Sequence, residues 1–173
     1  MAGFIKGVSR RQFGRSALVL LAAAALAPQR RAMAQDTVRL TVVRTDGTET
    51  RLGDADLDRL PVKTIDTETA WMDGVHHFEG VLLRDVFTMV GIDVEAPDAQ
   101  FEALAHNDYS VEIPVADAVK WDVILARRMD GEALTLRDKG PLWIVYPRDD
   151  YRELRDARYD HRWVWQLRQL KLL

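Results

Sequence analysis

Apolar Val38, Leu40 and Val42 alternate with Arg39 and Thr41, the period of a strand with one buried face. Asp46-Gly47 predicts a hairpin turn into a second strand, Thr48 to Leu52, because glycine permits positive φ. Asp54 or Asp56 is expected to cap a short helix that Pro61 stops. Val62 to Ala70 reads as a strand, with Asp73-Gly74 turning the chain into a partner around Val75 to Phe78. Leu82, Leu83, Val86, Phe87 and Val90 fall at helical spacing, and Gly91 stands where a C-terminal cap belongs. Phe101 to Ala105 and Tyr109 to Ile113 are two further strands around His106-Asn107-Asp108, and Val115 to Lys120 is a helical turn. Val123 to Arg127 and Leu134 to Leu136 flank the turn Asp130-Gly131. Leu142 to Tyr146, bounded by Gly140-Pro141 and Pro147, is an apolar run that predicts a buried central strand.

Beyond Pro147 the pattern is less regular. Tyr151, Leu154 and Arg158 are expected on one face of a two-turn helix, with Arg152 and Asp156 paired at i, i+4. Trp163, Trp165 and Leu167 alternate again, but Leu170 and Leu172 are out of phase with them. A bulge near Arg168-Gln169 restores the inward face. The resulting expectation is one α+β domain, residues 35–173, with mixed short-stranded sheets and a few short helices.

Residues 1–34 have a different pattern. Lys6, Arg10, Arg11 and Arg15 precede a dozen apolar or small residues, Ser16 to Ala27, too short for a bilayer core that needs about 20. Ala32-Met33-Ala34 is an A-x-A cleavage site, which places cleavage before Gln35. Arg10-Arg11 with Phe13 resembles a twin-arginine signal, so the expected address is the periplasm. An ordinary secretory signal and an uncleaved anchor are the other readings of this segment, and the short apolar core argues against a stable anchor.

Removing the leader changes the charge balance. Residues 35–173 carry 18 Lys and Arg against 27 Asp and Glu, a net charge of −9. Such a chain lacks the basic field that nucleic acid requires, which leaves a small-molecule ligand or a periplasmic protein as the expected partner. The sequence contains no cysteine, which excludes disulfides, thiolate nucleophiles and thiolate metal ligands. A domain of this size buries about two-thirds of its unfolded surface and needs no disulfide to hold it.

Several stretches appear in a telling order. They are Trp71 with Phe78-Glu79-Gly80-Val81-Leu82-Leu83-Arg84-Asp85-Val86, then His106-Asn107-Asp108-Tyr109-Ser110-Val111-Glu112-Ile113-Pro114. Ile124-Leu125-Ala126, Asp130-Gly131-Glu132-Ala133-Leu134, Lys139-Gly140-Pro141-Leu142-Trp143-Ile144-Val145-Tyr146-Pro147 and Trp165-Gln166-Leu167 follow. Together they resemble the molybdopterin-binding domain of the sulfite oxidase family. The resemblance implies the fold of that domain, a possible molybdopterin cofactor and oxidoreductase chemistry. Export by a route that carries folded proteins suits a family that loads its cofactor in the cytoplasm.

The departures from that family matter as much. Its enzymes place a cysteine about four residues before the tryptophan and give the thiolate to molybdenum. Counting back from Trp71 reaches Thr67, and counting back from the Gly80 segment reaches Glu68. Neither replaces a soft thiolate, since a hydroxyl has too high a pKa and a carboxylate is a hard ligand. The family's arginine after Gly-x-Pro corresponds to Trp143 or its neighbour, and its lysine-bearing phosphate stretch to Arg158 to Trp165.

His106, Asn107, Asp108 and Tyr109 are therefore candidates for a pocket rim or a hydrogen-bonded turn, and Arg148, Arg158 and Arg162 for a phosphate. No metal site is expected. His76-His77 are neighbours in a strand and point to opposite faces. Trp71, Trp143, Trp163 and Trp165 read first as core, with some indole N–H groups at a pocket edge. Two function classes follow: a ligand-binding, sensory or partner module without sulfite oxidase chemistry, and a molybdopterin-dependent oxidoreductase acting on a small periplasmic substrate.

Overall fold

A computed structural model describes residues 37–173. The expected leader and its cleavage site lie outside the described residues. Among those residues, ten strands form two five-stranded sheets with three short helices, the α+β class expected.

The first sheet contains β1 (Leu40–Val43), β2 (Glu49–Leu52), β5 (Gln100–Ala105), β6 (Ser110–Pro114) and β10 (Leu167–Leu172), in the order β2-β1-β10-β5-β6. β10 runs parallel to β1 and antiparallel to β5. Its pairing with β5 slips between Leu167 and Gln169, the bulge that the phase change predicts. Leu167 and Leu170 are accordingly both buried.

The second sheet runs β3 (Val62–Glu68), β4 (Val75–Leu82), β7 (Ile124–Met129), β8 (Glu132–Ala133), with β9 (Trp143–Val145) also pairing β7. β7 and β8 are joined by Asp130 and Gly131 at φ 51° and 82°, a turn with both central residues left-handed. This tight turn pairs Glu132–Ala133 with β7, so Leu134 to Leu136 leave the sheet instead of forming the expected strand. β4 crosses close to β7 at Gly80, where a Cβ would come within 2.1 Å of the Leu125 carbonyl oxygen. Only glycine leaves that space free, which explains why the Gly80-Val81 pair lies at this point.

Helix α1 (Asp54–Leu57) has Gly53, not Asp54 or Asp56, at its N-cap. Asp56 accepts from the Gly53 amide at 3.0 Å, while Asp54 turns outward to Arg39 and Arg127. Helix α2 (Leu83–Met89) has its expected apolar face: Leu83, Val86 and Phe87 are fully buried, and Gly91 follows at φ 74°. Phe87 packs edge-on against Phe101 of the first sheet, with centroids 5.1 Å apart. Helix α3 (Ala116–Lys120) follows β6.

β9 is fully buried as expected, but it is not central in its sheet. Its free side is closed by the chain leading into β10: the Ile144 amide donates to Val164, and the amide of Leu167, the first residue of β10, to Leu142. The expected two-turn helix is two 3₁₀ segments, Arg152–Arg155 and Ala157–Arg162, broken at extended Asp156. Asp156 caps the second segment by accepting from the Arg158 amide and so faces Arg158, not Arg152. Trp163 and Val164 are both buried, because the chain there is not yet a strand and Gln166 sits at φ 52°. No described helix is long and apolar enough to cross a membrane.

Candidate functional site

Three segments meet at an aromatic cavity of about 260 Å³. The loop after β3 supplies Trp71, and the β5–β6 turn supplies Asn107 and Tyr109. The chain approaching β10 supplies Asp160, His161, Trp163 and Trp165. The Trp71 loop is fixed by Thr69, whose hydroxyl oxygen accepts from the amides of Trp71 and Met72 at 3.3 and 3.1 Å. The β5–β6 turn is a hydrogen-bonded turn as well as a rim. Asn107 accepts from the Tyr109 amide, Asp108 is left-handed at φ 64°, and the Tyr109 hydroxyl donates to the His161 carbonyl at 2.8 Å.

The indoles stand steeply to one another. Trp71 meets Trp165 at 90° with centroids 5.3 Å apart, and Trp163 at 63° and 5.9 Å. Trp143 lies behind them, 6.0 Å from Trp163 and 6.3 Å from Trp165. Trp71 is 40% exposed, so the wall facing solvent is an aromatic ring on a loop rather than core. The Lys139 ammonium lies 4.5 Å from the Trp165 ring centre, a cation–π contact.

Beneath this cavity Arg162 is drawn inward. It donates to Asp117 of α3 at 2.5 Å, and the same carboxylate oxygen accepts from the buried Tyr146 hydroxyl at 2.9 Å. Burial pushes the Asp117 carboxyl above its ordinary range against the pull of Arg162 and Tyr146, and burial raises the Tyr146 phenol further still. The ion pair ties the 3₁₀ segment Ala157–Arg162 to the domain and so positions Asp160, His161 and Trp163.

The other expected residues are distributed around this arrangement. His106 is exposed, its backbone amide bonded to the Gln166 carbonyl, and Asp108 pairs with Arg168 outside the cavity. Arg148 pairs with Asp160 at 3.0 Å and Arg158 with Asp156. His76 and His77 bond different carboxylates, Asp130 and Asp66, and no cluster of three His, Cys, Asp or Glu able to hold a metal occurs among the described residues. Asp160 and His161 escape a reading that looks for phosphate-binding arginines on either side of them; their signal was their place just before Trp163 and Trp165.

A larger cleft of about 460 Å³ lies elsewhere, between α1 and the β4–β7 ladder. Its charged groups are consumed by one another. Arg127 pairs with Asp54 and Asp58, and Arg39 with Asp54.

A family model, the oxidoreductase molybdopterin-binding domain, matches residues 27–149. The chain belongs to this family. Its fold is also similar to that of the sulfane dehydrogenase SoxCD from Paracoccus pantotrophus, with a TM-score of 0.56 at 20% identity. The likeness covers 78% of this chain and 38% of that one, so the chain spans well under half the length of its structural relative. No curated protein matches the sequence. The matched residues include Trp71, Asn107 and Tyr109 and end before Asp160, His161, Trp163 and Trp165.

The donors in this chain do not fit the molybdenum of the family's cofactor. Thr67, fully buried at the end of β3, accepts from the Asp149 amide at 3.2 Å and donates to the Glu68 carbonyl at 3.2 Å. Its hydroxyl is thus committed to backbone. The Glu68 side chain is exposed, and its amide donates to Asp149 at 2.8 Å. Together these bonds latch the loop after β9 across the position where a thiolate is expected. The arginines that would hold a phosphate are likewise each paired with a carboxylate.

Proposed function

We propose that this protein is a periplasmic binding module built on the molybdopterin-binding fold, exported through a twin-arginine leader and serving ligand recognition, sensing or a protein partner rather than sulfite oxidation. The observation that carries this reading is Thr67, whose buried hydroxyl is taken up by the Asp149 amide and the Glu68 carbonyl. A hard oxygen so engaged supplies none of the soft-donor chemistry of a thiolate. The aromatic cavity is then the site that recognises the ligand, with Asn107, Tyr109 and His161 on its rim.

A second reading, a molybdopterin-dependent oxidoreductase acting on a small substrate, is supported by the family match across most of the domain. Metal content separates the two. Protein isolated from its own cells is expected to hold far less than one molybdenum per chain by mass spectrometry and to leave sulfite unoxidised. About one molybdenum per chain would establish the enzyme reading in its place. Replacing Arg10 and Arg11 together with lysine is expected to retain the precursor in the cytoplasm; normal export of that variant would remove the twin-arginine part.

A further inference from the structure

We propose that the aromatic cavity takes a compact organic cation of the substituted-ammonium class, held among the indoles with its charge facing Asp160. The inference rests on the binding-module reading and adds the chemistry of the ligand.

Shape is the first ground. Parallel rings would form jaws for a flat heterocycle, but Trp71 stands at 90° to Trp165 and at 63° to Trp163. Steep planes in edge-to-face contact make a corner, and a nearly spherical head group seated in it touches more than one ring. Each ring face carries the negative part of an aromatic quadrupole, which attracts a cation and is indifferent to a neutral group of the same shape. The volume of about 260 Å³ lies below the roughly 300–1,000 Å³ of pockets for drug-sized ligands, so it favours a small head group.

Charge is the second ground. The carboxylate of Asp160 lines the cavity, and Arg148 engages one of its oxygens, Oδ1, at 3.0 Å. Among the described residues no hydrogen bond falls on its Oδ2. Nearby guanidinium groups turn elsewhere: Arg162 is held by Asp117 and lies 5.0 Å from the Tyr159 ring, and Arg158 is on Asp156. Lys139, 4.5 Å from the Trp165 ring centre, shows that this indole already attracts an ammonium within the chain. The net charge of −9 over residues 35–173 adds a field of the right sign.

The test titrates the protein, as its own cells make it, with choline and with the uncharged isostere 3,3-dimethylbutan-1-ol. Tryptophan fluorescence and calorimetry follow the binding. Choline is expected to saturate at one per chain, with the alcohol at least tenfold weaker. Trp71→Ala, which removes a ring from an exposed loop, is expected to weaken choline at least tenfold. The comparison of the two ligands on unaltered protein needs no variant and stands even if Trp71→Ala misfolds. Equal binding of choline and the alcohol would overturn the cation class while leaving the cavity a binding site. If neither ligand saturates, the proposal fails, and a neutral pterin titrated in the same way then judges the underlying reading. Pterin binding that is lost in Trp71→Ala would preserve that reading, and no binding of any of the three would remove the cavity as its small-molecule site.

Discussion

Two concave regions of the molecule differ less in size than in what their polar groups are free to do. The cleft beside α1 is the larger, at about 460 Å³ against 260 Å³, yet its arginines and carboxylates close on one another. The smaller cavity has fewer charges, but one oxygen of its Asp160 carboxylate accepts no hydrogen bond among the described residues. Exposed ion-pair networks are worth little and recognise little, because each charge already has its partner. The lesson is that volume ranks cavities poorly, and uncommitted chemistry ranks them better.

The contrast is broken most severely at the anchor of the smaller cavity. Asp117→Ala leaves Arg162 and the Tyr146 hydroxyl buried without their partner, and is expected to cost about 3–5 kcal/mol in urea unfolding. A loss below about 1 kcal/mol would mean that the 3₁₀ segment is held by something other than this pair. Gly80→Ala acts on the floor of the larger cleft, forcing a methyl onto the Leu125 carbonyl and parting β4 from β7. It is expected to cost about 1–3 kcal/mol and to speed amide exchange at Leu125 and Ala126. Unchanged protection there would show that the strands separate freely.

The smallest expected effect has opposite signs in the two regions. Arg39 foremost holds the Asp54 carboxyl below its ordinary value, so its stabilisation is present above that value and is lost as pH falls through the depressed one. Asp117 is raised by burial, so its stabilisation is present below the ordinary carboxylate range and is lost as pH rises through the raised value. Between pH 3 and 6, Asp54→Asn should therefore lose ground on the native protein as pH rises, by less than about 1 kcal/mol for so exposed a pair. Asp117→Asn should gain ground over the same interval. Urea midpoints that drift the same way in both variants would abolish the distinction.

Local signals carried much of the fold in legible form. Asp130-Gly131 closes a hairpin because both residues tolerate left-handed backbone, and Gly91 follows α2 at positive φ for the same reason. The slip from Leu167 to Leu170 marked a bulge, since the inward face of a strand has to be regained somewhere. What stayed hidden depended on distant partners. Nothing near Leu142 to Tyr146 says that β9 is flanked on one side by the chain that enters β10, from Val164 to Leu167. Asp156 gives no local sign of capping a 3₁₀ segment instead of pairing with Arg152. At the site, the polarity of Asn107-Asp108-Tyr109 marked a rim, and the structure puts Asn107 and Tyr109 on the cavity. Arg148, Arg158 and Arg162 looked free because their carboxylates, except for Asp156, lie ten or more residues away or across the fold.

The position of β10 sets the order in which the molecule is able to form. The last of the described strands lies in the middle of its sheet, parallel to β1 on one side and antiparallel to β5 on the other. As the nascent polypeptide leaves the ribosome, β1 with β2 and β5 with β6 are two separate hairpins, each with an unpaired edge turned toward the gap between them. Leu167 and Leu170 fill that gap only when β10 emerges, after both hairpins. Trp163 and Trp165 come into place with them, so the aromatic cavity is completed only after both hairpins have been made. Until then both hairpin edges stand open to other strands, and it is this interval of synthesis that a chaperone would have to cover.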